Sequence, residues 1–313
     1  MKKNPLLQVS DLSVTFQTNG DTIRAVTGFS CQLDYGICTA IIGESGCGKS
    51  VIAHAILRLL PETALVTGSV QFKGKDLYSL SLEELNAIRG RQIGIIFQSP
   101  DRALNPTYRI YRQIDVPLRN HQVVPEKKRK DHILTTLRNV GFSHPNEAAR
   151  LFPCHCSGGM NQRAVTAVVL SLLPDLIIAD EPTKGLDSLR VSDVKSSLLK
   201  VKDEGRTLLL VTHDICLAQD LSEELLVMYA GEIVESGKTQ DILQSPMHPY
   251  TRGLLKSLPE NGFIRIPGSA PSYANMPSGC RFQDRCAYAS ERCNNNLELL
   301  NKNGRMVRCH LFC

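Results

Sequence analysis

Apolar and polar residues alternate with a period of two from Leu6 to Phe16 and again from Thr22 to Leu33. That pattern predicts two half-buried strands joined by a turn at Asn19-Gly20-Asp21. Cys38-Thr39-Ala40-Ile41-Ile42 is a short, continuous apolar run, as carried by a parallel strand buried on both faces. Val51 to Leu60 reads as a helix, and Val70 to Lys73 with the turn Gly74-Lys75-Asp76 as another strand. Ser81-Leu82-Glu83-Glu84 fits a capping box opening a short helix, and Gln92 to Phe97 a further buried strand. From Ser99 to about Cys156 the strand signals stop. Asn105-Pro106, Pro117, Pro125 and Pro153 punctuate pieces with helical spacing, such as Ile133, Leu134, Leu137 and Val140. Alternation then resumes: helix Gly159 to Leu172, strand Leu176 to Ala179, helix Ser188 to Lys202, strand Thr207 to Val211. A strand at Leu225 to Tyr229 and a hairpin around Ala230 to Glu235 follow. Beyond about Pro246 the chain is rich in Pro and Gly, with one short helix and no visible repeat.

This order predicts an α/β fold with an N-terminal antiparallel β subdomain, an inserted helical subdomain and a C-terminal extension. The expected boundaries are 1–98 and 158–245 for the two parts of the core, 99–157 for the insert and 246–313 for the extension. A length of 313 residues suits about two domains, and 42% hydrophobic residues supply a sizeable core.

A net charge of +5 suits a surface near anionic lipid but is too weak to argue for nucleic acid, so no nucleic-acid partner is expected. The basic run Lys127 to Lys130 follows Pro125 at a helix start and reads as a solvated face. Met1-Lys2-Lys3-Asn4-Pro5 leads into an alternating strand, so no signal peptide is expected. Ala164 to Leu173 is the longest apolar stretch. It carries Thr166 and Ser171, stops at Pro174, and falls short of the ~20 residues that span a bilayer.

Chemistry enters at Gly43-Glu44-Ser45-Gly46-Cys47-Gly48-Lys49-Ser50, which spells G-x-x-x-x-G-K-S between a predicted strand and a predicted helix. In that context the loop's N–H groups curl around nucleotide phosphates, and a side chain at the glycines would block the approach. Lys49 would reach the β- and γ-phosphates, Ser50 would bind Mg²⁺, and the helix from Val51 would aim its positive end at the anion. Downstream, the apolar strand Leu176 to Ala179 ends in Asp180-Glu181. Carboxylates at such a tip need a compensating charge, which a Mg–nucleotide provides; a solvated strand end is the weaker alternative. Asp180 would hold the Mg²⁺ shell and Glu181 would act as general base on the attacking water.

Ser157-Gly158-Gly159-Met160 opens a helix and makes a second anion site. One nucleotide has no use for two γ-phosphate sites unless the second serves a partner. Here the chain resembles the ATP-binding-cassette (ABC) ATPases, P-loop NTPases in which this signature closes over ATP held by another subunit. Cys156 replaces that family's leading Leu, and Met160 resembles the oligopeptide, dipeptide and nickel importer branch. The resemblance implies that Gln98 senses Mg²⁺ and water, that Asp187 in Gly185-Leu186-Asp187 communicates across the dimer, and that His213 contacts the γ-phosphate. His213 alone would pass for an ordinary histidine. Phe16 is the candidate for stacking on adenine, although an aromatic in a strand is more often plain core.

Ser245-Pro246-Met247-His248-Pro249-Tyr250-Thr251-Arg252 and Ile266-Pro267-Gly268-Ser269-Ala270-Pro271 resemble the extension of that importer branch. Of the 11 cysteines, Cys280, Cys286, Cys293 and Cys309 crowd into it, at gaps that lack the C-x₂₋₄-C pairs of structural zinc sites. From spacing alone, four unligated thiols are the better reading. Branch members share this ending, however, and the resemblance implies a four-iron four-sulfur cluster, the centre that four thiolates suit. Cys154-His155-Cys156 abuts the signature, where a metal would obstruct ATP, and is set aside.

The resemblance therefore implies an ATP hydrolase on the cytoplasmic face of a membrane, peripheral to two permease subunits and paired with a second ABC ATPase, identical or homologous. An extracellular substrate-binding protein would act indirectly. Peptides are the expected cargo, with nickel or a chelated metal as the alternative. A soluble cassette ATPase of an enzyme complex, such as carbon–phosphorus lyase, is the rival of another class.

Overall fold

The computed structural model describes residues 4–17 and 22–313, and the expected turn at Asn19-Gly20-Asp21 lies outside them. The chain divides into two compact units. One comprises Met1–Asp34, Cys38–Tyr78 and Val211–Cys313; the other comprises Tyr35–Ile37 and Ser79–Leu210.

In the first unit, the antiparallel sheet runs in the order Thr22–Leu33, Leu7–Gln17, Ala64–Phe72, Lys75–Asp76. Leu7 is the hinge of the register, paired with Leu33 on one side and Phe72 on the other. Leu7 and Val9, then Leu12 and Val14, are buried with Phe29, Leu33, Val70 and Phe72; the alternation slips by one residue between Val9 and Leu12, where the register shifts and Asp11 has φ 50°. The third strand begins at Ala64, well before the predicted Val70. Its pairing survives a register shift between Ser10 and Ser13, opposite Gly68. Gly68 has φ +93°, and a Cβ there would lie 2.4 Å from the Asp11 carbonyl, so only glycine lets the strands pass.

The first unit also holds the strand order Leu300–Lys302, Arg305–Val307, Glu232–Lys238, Glu224–Tyr229, Cys38–Ile42. The last two pair in parallel, from Thr39 with Glu224 to Ile42 with Val227. Every residue of Cys38–Ile42 is buried, which explains its unbroken apolar run. Helix Lys49–Ile56 starts directly after the glycine loop and ends before the predicted Leu60. Arg58 adopts a left-handed φ of 52°, which no helix continues, and Pro61 follows.

In the second unit, Ile93–Ile96 and Leu176–Asp180 pair in parallel, with Thr207–Thr212 on the other side of Leu176–Asp180. The capping box forms: Glu84 N donates to Ser81 Oγ (3.2 Å) and Ser81 N to Glu84 Oε2 (2.9 Å). The proline-punctuated stretch folds as helices Pro100–Ala103, Ile110–Asn120, Glu126–Asn139 and Pro145–Ala148, then a turn at Pro153–His155. Ile110, Ile114, Leu118, Ile133 and Leu137 form its buried face, and the buried stripe of helix Gly158–Ser171 includes Ala164, Val165 and Ala167.

The hydrophobic pattern missed helices Ile215–Leu221 and Thr239–Gln244 and the terminal hairpin Leu300–Val307. Among the described residues, no helix is long and apolar enough to cross a membrane.

Candidate nucleotide site

The first unit carries the phosphate loop, Phe16 and His213. Two loop glycines are required by the chain itself. A Cβ at Gly43 would lie 2.2 Å from the Met228 carbonyl oxygen, and one at Gly48, where φ is 101°, would lie 2.5 Å from that of Ala25. Lys49 is 4% exposed, and its Nζ donates to the carbonyls of Gly43 (2.8 Å) and Glu44 (3.0 Å). These two acceptors fix the ammonium inside the curl of the loop, where a phosphate would lie. Cys47 is buried, and burial pushes its thiol up, so it is neutral beside Lys49 and removes no positive charge. Ser45 and Gly46 lie exposed, Ser50 and Val51 occupy the first turn of the helix, and Ser50 is half-buried. Phe16 sits half-buried in its strand, opposite Ile23 and Ala64. His213 is exposed, one residue beyond strand Thr207–Thr212. Asp214 next to it caps the following helix by accepting from Leu217 N at 3.0 Å.

The second unit carries Gln98, the Ser-Gly-Gly signature, Asp180, Glu181 and Asp187. Asp180 ends its strand at 2% exposure, and Glu181 follows at 6%. Glu181 has φ 48°, a left-handed backbone that a non-glycine residue adopts at a cost. Such strain clusters where a side chain must be aimed rather than packed. Gln98 lies just past strand Ile93–Ile96 and before helix Pro100–Ala103. Ser157 is the N-cap of helix Gly158–Ser171, accepting from Met160 N at 3.4 Å, and Ser157 and Gly158 are exposed. Asp187 caps helix Ser188–Asp203, accepting from Arg190 N (3.1 Å) and pairing with Arg190 Nε (3.1 Å). Arg190 in turn lies over Gly159, so the structure joins two motifs that are far apart in sequence.

Ser50, Gln98 and Asp180 are a hydroxyl, an amide and a carboxylate, the hard oxygen donors that Mg²⁺ takes. Cys280, Cys286, Cys293 and Cys309 do share a neighbourhood: Cys280 N donates to the Cys293 carbonyl at 2.7 Å, and Cys293 Sγ lies 3.1 Å from His310 Nδ1. Burial pushes the Cys280 thiol up to about 11, with Cys293, Cys309 and Cys286 adding to the rise. Burial raises Cys286 and Cys309 as well. With no cation beside them the Cys280, Cys286 and Cys309 thiols hold their protons, which a bound metal would itself displace. Among the described residues, no group of three or more His, Cys, Asp or Glu could hold a metal ion. The iron–sulfur cluster implied by the resemblance finds no formed ligand set.

Sequence reasoning missed the residues that brace the loop from behind. Tyr250 OH accepts from Glu44 N at 2.9 Å, Tyr273 OH donates to the Gly46 carbonyl, and Arg285 forms a two-pronged pair with the Glu44 carboxylate. Tyr250 stood in the Ser245–Arg252 motif and Arg285 beside Cys286 in the cysteine ending, but neither was read as a contact to the loop. An isolated Arg or Tyr in a Pro-rich tail carries no periodicity to mark it.

Two family models match the chain. Residues 26–184 match the model of the family described as ABC transporter. The chain belongs to the ABC transporter family. Residues 234–293 match a second model, the oligopeptide/dipeptide transporter C-terminal region, which accounts for the extension of this ABC protein. A dipeptide transport ATP-binding protein of Haemophilus influenzae is 39% identical, over 97% of this chain and 95% of its own length. An oligopeptide transport ATP-binding protein of Mycobacterium tuberculosis is 40% identical over 93% of this chain, which spans about half (49%) of that relative. Among solved structures, a dimeric ATP-binding cassette in a post-hydrolysis state, bound to ADP and Pi, matches with 27% identity and a TM-score of 0.67. It covers 74% of this chain and 98% of its own.

Proposed function

We propose that the chain is the ATP-hydrolysing subunit of a membrane importer for oligopeptides or dipeptides. The observation that carries this reading is the pairing of a formed phosphate loop, with Lys49 held at Gly43 and Glu44, with an extension of the oligopeptide/dipeptide type. Two such chains, or this one and a similar partner, would sandwich ATP between the loop of one and the Ser157-Gly158-Gly159-Met160 signature of the other. Mg²⁺ held by Ser50, Gln98 and Asp180 would screen the phosphate charge. Glu181 would take the proton of the attacking water, and His213 would hold the γ-phosphate. Asp187 would act across the dimer through Arg190, and Phe16 would stack on adenine.

The expected partners are two permease subunits, with the chain peripheral on the cytoplasmic face and an extracellular binding protein supplying cargo. A cavity of about 310 Å³ in the second unit, lined by Phe97, Leu104, Tyr108, Val116 and Val165, would offer an apolar seat for a permease segment. The importer reading is favoured over the soluble carbon–phosphorus lyase type because relatives matched over nearly their whole length are named for peptide transport. Those names also favour peptides over nickel.

Uptake of a labelled dipeptide and of radioactive nickel, in cells carrying either the wild-type chain or Glu181→Gln, tests this. Loss of peptide uptake alone is expected. Loss of nickel uptake alone would reverse the cargo, and loss of neither would bring forward the soluble-complex reading.

A further inference from the structure

The extension grips the phosphate loop at its mouth. Arg285 Nη1 donates to Glu44 Oε2 at 2.9 Å and Nη2 to Glu44 Oε1 at 3.1 Å, the parallel fork in which guanidinium and carboxylate bind best. The arginine is itself held in place: Nη1 also reaches Tyr229 OH (3.2 Å) and Nε donates to the Pro267 carbonyl (2.8 Å). Its guanidinium lies 5.7 Å from the Tyr229 ring centre and 5.8 Å from that of Phe282, and the side chain is 6% exposed. Phe282 packs on Tyr229 and Tyr250 with ring centres 5.2 and 5.5 Å apart. Tyr250 and Tyr273 hold the loop backbone at Glu44 and Gly46. Three separate segments of the extension thus converge on the four-residue stretch from Gly43 to Gly46.

Two consequences follow for an anionic ligand. Glu44 puts a carboxylate into the loop that must receive a polyphosphate, and its charge repels that ligand unless it is cancelled. Arg285 cancels it. The Glu44 carbonyl is also one of the two acceptors that fix Lys49 Nζ, so a Glu44 held at both side chain and backbone sets where the lysine stands.

We propose that the C-terminal extension is a working part of the nucleotide site, with Arg285 as a positioning residue that binds and neutralises the Glu44 carboxylate, so that the loop does not repel the phosphates of ATP. The inference rests on the nucleotide reading above and adds that nucleotide affinity depends on the extension.

The test uses the purified full-length chain with its ATPase partner, ATP turnover, and titration with the fluorescent analogue mant-ATP. Arg285→Ala is expected to raise KM for ATP and weaken mant-ATP binding by roughly tenfold, as loss of a charge-assisted pair does, with kcat little changed. Glu44→Ala/Arg285→Ala is expected to recover affinity, because the acid that Arg285 neutralises is gone. Should Arg285→Ala fail to fold, Arg285→Lys keeps the charge and loses the fork, and an intermediate rise in KM is expected. A KM unmoved in a folded Arg285 variant, or a double variant as impaired as Arg285→Ala, would overturn the proposal. A wild-type chain that binds no mant-ATP would instead overturn the nucleotide reading itself.

Discussion

Glu235 and Arg305 form an ion pair with Oε1 and Nη2 2.5 Å apart, and the carboxylate is wholly buried. The same carboxylate accepts from Met247 N and His248 N, both at 2.9 Å. Two adjacent N–H groups at the start of helix Pro249–Lys256 and one guanidinium from the terminal hairpin therefore meet on a single acid. That helix carries Tyr250, whose hydroxyl braces Glu44, so the acid also underlies the phosphate loop.

Removing one partner of such a pair leaves the other charge stranded. Glu235→Ala is expected to destabilise the chain by about 3–5 kcal/mol, the range for breaking a buried pair. Urea unfolding followed by circular dichroism measures it. A loss under about 1 kcal/mol, the scale of an exposed pair, would show that the pair does not hold the extension.

Gly158 and Gly159 are neighbours with different reasons for being glycine. A Cβ on Gly159 would lie 2.6 Å from Arg190 Cδ and push that arginine off Asp187, whereas one on Gly158 meets nothing within 4 Å. Gly158→Ala is therefore expected to leave stability unchanged or raised by up to about 1 kcal/mol, since alanine is the better helix former. Turnover should nevertheless fall steeply, because in the proposed composite site the added methyl would meet phosphate held by the partner. Normal ATPase activity in Gly158→Ala would remove the signature from the composite site.

The strands buried on both faces were the most legible part of the fold, because Cys38–Ile42 and Leu176–Asp180 have no polar face to confuse the pattern. The glycine loop was legible for a steric reason, now visible as the close carbonyls of Met228 and Ala25. What stayed hidden depends on distant partners. The early start of strand Ala64–Phe72 was masked by Gly68, which belongs to a register shift opposite Asp11. Arg285 reaches Glu44 across 241 positions, and no local window contains such a pair. The thiol cluster differs again: a matching order of cysteines suggested a metal centre, and among the described residues no group of three or more ligands is gathered to hold one.

Glu181 stands on a left-handed backbone at the end of its strand and is almost inaccessible. Glu181→Gln keeps the shape and removes the proposed base. ATP should still bind and hold the dimer closed, with hydrolysis lowered by about 10²–10⁴-fold, the usual contribution of a positioned base. Phosphate release and size-exclusion chromatography with ATP check the two halves. Near-normal turnover would take the general-base role away from Glu181.

His248 gives the chain an acid limit. The ring is 1% exposed, its Nδ1 accepts from Tyr250 N at 3.0 Å, and burial lowers its pKa to about 3 from an ordinary value near 6.5. Between those values the unfolded chain binds a proton that the folded chain refuses, so stability rises with pH and is lost as pH falls from 6.5 toward 3. One proton sets a slope of at most about 1.4 kcal/mol per pH unit. His248→Asn retains a side-chain acceptor for the helix start and cannot be protonated in this range. Its unfolding midpoint should therefore fall less steeply below pH 6.5 than that of the wild type, measured by thermal denaturation at stepped pH. Parallel curves would mean that groups other than His248 carry the acid sensitivity.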